Sequence, residues 1–168
     1  MKILVILSFI FCTSVGFASL PEIKSVRSTY YAAKDNTQIA KDFFQLFKET
    51  ESLSGLYLGY KAASFMLLAK HAWNPYSKYS YFNQGKDLLE QAIIQSPHDV
   101  ELRFLRFCIQ SNSPSFLSYS SQIKEDLNFI KRHWKTTSDK DLMIKIQSYM
   151  LDGNRLSTTD KSFFKVEA

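Results

Sequence analysis

Cysteine, glycine and proline are scarce in this chain, with two, five and four among 168 residues. So few cysteines exclude a disulfide-stapled scaffold. So little glycine and proline excludes a collagen-like repeat or a flexible low-complexity chain. Charge of one sign is also lacking in bulk. The 21 basic and 16 acidic residues leave a net charge of +5, modest for a dedicated nucleic-acid binder. Apolar and aromatic side chains are plentiful instead, at 45% and 15% of residues, enough for a buried core and too many for a disordered tail. One domain is the natural count for this length.

The first eighteen residues stand apart. Met1-Lys2 is a short positive start, and Ile3 to Cys12 is an apolar run broken only by Ser8. Polar Thr13 and Ser14 lead to Val15-Gly16-Phe17-Ala18, which places small residues three and one positions before a cut after Ala18. This three-part layout is that of a secretory signal peptide, and it predicts an exported protein, periplasmic or secreted. Retention as an anchor or lipoprotein is the alternative. Against it, the run is shorter than the roughly 20 residues that span a bilayer, and bulky Phe11 sits where a lipoprotein has a small residue. Cleavage would leave 150 residues, a net charge of +4 and one thiol, Cys108. In the run Arg103-Phe104-Leu105-Arg106-Phe107-Cys108-Ile109, that thiol reads as a small buried apolar side chain.

Nothing after residue 18 alternates polar and apolar residues as a half-buried strand would. Helical spacing predicts an all-α fold of six to seven helices, stacked as antiparallel hairpins in an irregular solenoid or bundle. The first helix runs about 23–34 and the second about 38–50, with Asp35-Asn36-Thr37 between them. The third, Leu56 to Trp73, is apolar on nearly all sides and therefore the candidate central helix. Lys61 and Lys70 within it argue against a membrane span. Asn74-Pro75 ends it, because a residue before proline is pushed out of the helical region. A fourth helix is expected from about Tyr79 to Gln95. Ser96-Pro97-His98-Asp99 then opens a fifth with Ser96 as cap, and Ser113-Pro114 a sixth that continues to Trp134. A seventh, about 140–151, follows Ser138-Asp139, and residues 153–168 are expected as a loosely held tail.

Gly85, Leu89, Ala92, Ile93 and Pro97 have the spacing of the second helix of a tetratricopeptide repeat, and Leu58-Gly59 that of a first helix. The chain resembles that family in part. The interval from Gly59 to Gly85 is about twice what the repeat allows, and no second 34-residue unit follows. Tyr57 to Ala63, Lys86 to Glu90 and Glu101 to Arg106 also resemble small exported bacterial proteins of unknown function. Together these resemblances imply an all-helical, repeat-like envelope protein and transfer no catalytic residue.

Chemistry-bearing motifs are few. His71, His98 and His133 lack partners at metal-ligand spacing, and no nucleophile elbow or phosphate-cradling glycine loop is present. No metal, cofactor or catalytic residue is expected. The acid pairs Glu125-Asp126 and Asp139/Asp141 fall at helix starts, where they complement the dipole. The cluster Lys131-Arg132-His133-Trp134-Lys135 nominally suits nucleic acid or lipid, yet cations at a helix end offset its exposed carbonyls, and no nucleic-acid partner is expected.

Two sets of residues form the candidate binding surface. Arg103, Arg106 and Gln110 share one side of the fifth helix; they either grip a partner or pair with acids of the fourth helix such as Glu90. Tyr57, Tyr60, Trp73 and Tyr76, with Tyr79, Tyr81 and Phe82 nearby, make either a recognition surface or a packed helix junction. The reading is a noncatalytic, exported interaction or assembly module for a protein or peptide of the cell envelope. The alternatives are a carrier holding an apolar ligand among Phe65, Met66, Phe104 and Phe107, or an envelope enzyme.

Overall fold

The computed structural model describes residues 20–48, 50, 53–152 and 156–165. The expected leader, residues 1–18, lies outside the described residues. The described chain is all-helical and has no strand. Its helices are α1 Ile23–Ala33, α2 Thr37–Lys48, α3 Gly55–His71, α4 Pro75–Gln95, α5 Val100–Asn112, α6 Ile123–His133, α7 Lys140–Leu151 and α8 Thr158–Ser162. Short 3-10 turns occupy Ser115–Leu117 and Trp134–Thr136. From α1 to α6 each helix packs on the next, and α3 also touches α1 and α5, which makes it the centre of the first half. The eighth helix, beyond the expected six or seven, is a five-residue piece of the tail.

Capping chemistry accounts for the boundaries and for three departures from expectation. Asn74-Pro75 does end α3, but it also begins α4: the Asn74 side chain accepts the Tyr76 amide at 2.8 Å and Pro75 takes the first helical position. The residues that lengthen the interval from Gly59 to Gly85 thus include the start of α4, four residues ahead of the expected Tyr79. At α5 the cap is Asp99, not Ser96, because one carboxylate oxygen accepts both the Glu101 and Leu102 amides, at 2.8 and 3.0 Å. Pro114 opens only a 3-10 turn, which Ser118 closes in the left-handed region at φ 49°. A serine there stops the helix, and α6 starts afresh at Ile123. Asp139 caps α7 through the Leu142 amide at 3.1 Å.

Two apolar clusters hold the stack. The first joins Val26, Tyr30, Phe43, Phe47, Tyr60 and Leu89 from α1 to α4. The second joins Ile130, Trp134, Ile146, Met150 and Phe164 from α6 to the tail. Burying each such side chain contributes about 1.5–3 kcal/mol. Helix α5 serves both, giving Leu102 and Leu105 to the first cluster and Phe104 and Phe107 to the second. Residues 156–165 are docked rather than loose, since Phe164 is fully buried with its ring centroid 5.5 Å from that of Trp134. The Gln147 amide adds a hydrogen bond to the Phe164 carbonyl at 2.9 Å.

Small residues set how closely α3 and α4 approach. A Cβ at Gly85 would lie 2.9 Å from the Ala62 carbonyl oxygen and 3.2 Å from the Phe65 Cβ. At this crossing only glycine fits without moving backbone.

Candidate functional site

A half-open groove of about 930 Å³ opens on the described chain. The end of α1 supplies Lys34, α3 supplies Met66 and Lys70, and the first turns of α4 supply Lys78 and Tyr79. Ile109 from α5, Phe116 from the 3-10 turn and Tyr149 from α7 complete it. Two local features shape its rim. The Asn74 cap turns the chain sharply from α3 into α4, and the left-handed Ser118 ends the turn that carries the exposed Phe116.

The seven candidate surface residues separate into two groups. Trp73 and Tyr76 stand in solvent at the α3–α4 corner, 98% and 81% exposed, in the same stretch as the groove residues Pro75, Lys78 and Tyr79. Arg106 does not face solvent. It is buried in a bidentate pair with Asp126 of α6, at 2.7 and 2.8 Å, and its third arm donates to Glu90 of α4 at 2.6 Å. Arg103 donates to Glu125 at 2.7 Å and Asp126 at 3.1 Å, with its guanidinium 5.2 Å from the Phe129 ring centroid. Gln110 is buried and donates to Gln122 at 2.7 Å. This side of α5 therefore closes on α4 and α6 and leaves no donor fork open for a partner. The same network includes the Tyr119 hydroxyl, which donates to Glu90 at 2.6 Å; burial first, then that carboxylate, raises its pKa.

Tyr60 is likewise internal. Its hydroxyl donates to Glu101 at 2.5 Å, while the half-buried Tyr57 donates to the Pro21 carbonyl at 3.0 Å. Burial, and then the Glu101 charge, raises the Tyr60 pKa. Glu101 in turn takes a bidentate pair from Arg27 of α1, at 2.6 and 2.8 Å. Arg27 reaches Asp139 at 2.9 Å and Asp141 at 2.8 Å as well. Burial alone would lower the arginine's pKa, but the hydrogen bonds from Glu101, Asp141 and Asp139 raise it above its ordinary value. The acid pairs at the starts of α6 and α7 are thus arginine ligands besides facing their helix dipoles.

The basic cluster at the end of α6 also divides. Trp134 points inward and is 1% exposed, and Lys131 is bonded to Asp160 of α8. No stacking platform remains there. His71 lies between α1 and α2, with Nε2 3.1 Å from the Ala33 carbonyl and Nδ1 3.2 Å from the Thr37 hydroxyl. His133 stacks on Phe129 with ring centroids 4.2 Å apart. Among the described residues no three His, Cys, Asp or Glu side chains converge as metal ligands would. No helix of the described residues is long and apolar enough to cross a membrane.

Of the four side chains expected around an enclosed ligand, only Met66 reaches the groove; Phe104 and Phe107 are packed in the second core. Cys108 is half-buried along the groove wall rather than fully buried. Sequence reasoning missed the lysines of the groove, Lys34, Lys70 and Lys78. They lie on three different helical segments, and no local pattern connects them. The chain matches no family model, no curated protein and no solved structure in the three comparisons made.

Proposed function

We propose that this chain is an exported, noncatalytic helical module that holds a peptide segment of an envelope protein in its groove. The half-open groove between α1, α3, α4, α5 and α7 carries this reading. Its shape suits a chain segment that enters from the side, and most of its walls are apolar, as binding grooves generally are. Exposed aromatics beside it, Trp73, Tyr76, Tyr79 and Phe116, supply rigid contact area at low entropic cost. The arginines of α5 have no part in recognition here, because their partners are intramolecular. The leader-like start of the sequence and its partial likeness to tetratricopeptide repeats support export and peptide binding.

The test is capture from an envelope extract by the chain and by an Ile109→Trp variant that fills the groove. Retention of the partner by the parent and its loss by the variant, with the circular dichroism spectrum unchanged, is the expected result. Equal capture by both overturns the reading.

A further inference from the structure

Three lysines line the groove, Lys34, Lys70 and Lys78, and a fourth, Lys145, shares an aromatic neighbour with Lys34. Lys34 follows α1 and lines the groove, with its ammonium 4.1 Å from the Tyr31 ring centroid and 5.5 Å from that of Tyr30. Lys145 of α7 comes to the same ring, 4.9 Å from the Tyr31 centroid. Lys78, in the first turns of α4, also lines the groove. None of these three makes an ion pair among the described residues. Lys70 does, donating to Asp35 at 3.0 Å and to the Lys34 carbonyl at 2.5 Å. The groove's two acids are Asp35, which Lys70 holds, and Asp152 at the end of α7.

Aromatic faces replace only part of the hydration that an ammonium loses on burial. Desolvation lowers the Lys34 pKa; Cys108 and Asp35 oppose that shift, while Lys70 and Lys145 add to it. A carboxylate arriving beside Lys34 would relieve the penalty and gain a partly desolvated, charge-assisted hydrogen bond. Lys34 at the end of α1 and Lys78 on α4 supply two cationic points from different elements, and most of the groove lining is apolar. A single-headed amphiphile would satisfy one point. A chain with carboxylates spaced among apolar side chains would satisfy both.

We propose that the occupant of the groove is an acidic, apolar-rich peptide segment, its carboxylates on Lys34 and Lys78 and its apolar side chains against Met66 and Ile109. This rests on the groove being the peptide-binding face, and it adds the sign of the partner's charge. Complementary charge of this kind selects partners and speeds encounter, and it weakens as salt screens it.

The experiment is calorimetric titration of the chain with three synthetic peptides of identical Leu and Phe content. Their remaining positions are all Glu, all Gln or all Lys, and laurate is titrated alongside. The Glu peptide is expected to bind about tenfold more tightly than the Gln peptide, with the advantage shrinking at high salt. The double variant Lys34→Gln/Lys78→Gln should lose that advantage while still binding the Gln peptide. Equal affinity for Glu and Gln, a preference for Lys, or an acidic preference that survives in the double variant overturns the proposed charge selectivity and leaves peptide binding standing. Binding of laurate with no peptide bound overturns both readings, and so does the absence of all binding.

Discussion

The Arg27 guanidinium and the Glu101 carboxylate, 74 positions apart, meet face to face at 2.6 and 2.8 Å and are both buried. Breaking such a pair on one side strands the other charge. Arg27→Ala is expected to cost about 3–5 kcal/mol, read from urea unfolding. Tyr60→Phe removes only one hydroxyl donor from the same carboxylate and should cost about 1 kcal/mol. If Arg27→Ala costs no more than Tyr60→Phe, the pair is not the clamp that its geometry indicates.

Asp139 gives that clamp a pH dependence. Burial would raise its carboxyl pKa, but hydrogen bonds from Arg27 and the Leu142 amide outweigh this and hold it below the ordinary 3.8. A folded value below the unfolded one stabilises fully above the unfolded pKa. That stabilisation is lost as pH falls through the folded value. Asp139→Asn keeps the cap acceptor and removes the charge, so it should be less stable than the parent at pH 7 by about 1 kcal/mol. The two should converge as pH falls below 4, in denaturation midpoints measured at each pH. A gap that stays constant down to pH 3 would remove the charge from the explanation.

Gly85→Ala should destabilise by about 1–3 kcal/mol, because the new Cβ meets the Ala62 backbone carbonyl and the helices must part. At Gly59 the added Cβ would meet the tip of the Leu102 side chain, at 2.2 Å, and alanine also favours the helix. Gly59→Ala is therefore expected to cost less than Gly85→Ala in matched urea titrations.

These positions illustrate what could be read from sequence. The apolar run Leu56 to Trp73 marked the central helix α3, and the Ser138-Asp139 cap placed α7 within a residue. Both are local signals. The start of α4 was missed although Asn74-Pro75 carries a capping residue and a first-turn proline, because a proline that terminates one helix can open the next. Pro114 failed in the opposite sense, since the left-handed Ser118 a few residues later has no compositional mark. No local pattern marks Arg27: its partners lie more than 70 positions away, and only tertiary packing joins them. The same holds for Lys34, Lys78 and Lys145. Tyr60, grouped with its aromatic neighbours, and Arg106, grouped by helix spacing, were candidates for the surface; carboxylates on neighbouring helices hold both inside, and for Arg106 the alternative partner Glu90 is among them.

Phe164→Ala should cost about 3 kcal/mol, since the ring is fully buried against Trp134. Emission from Trp134 should shift to longer wavelength as water reaches the indole. Measuring it in a Trp73→Phe background removes the signal of the exposed tryptophan. An unshifted spectrum would show that the tail does not cover that indole.

Helix α5 sends alternate side chains into two cores, so neither core can loosen without disturbing the other. The two halves should melt as one cooperative unit instead of as independent foldons. A partner that tightens the groove at the end of α5 would then be felt as slower amide exchange on α6 and α7. Binding at one edge would rigidify the whole stack, and the protein could report occupancy through stiffness without changing shape.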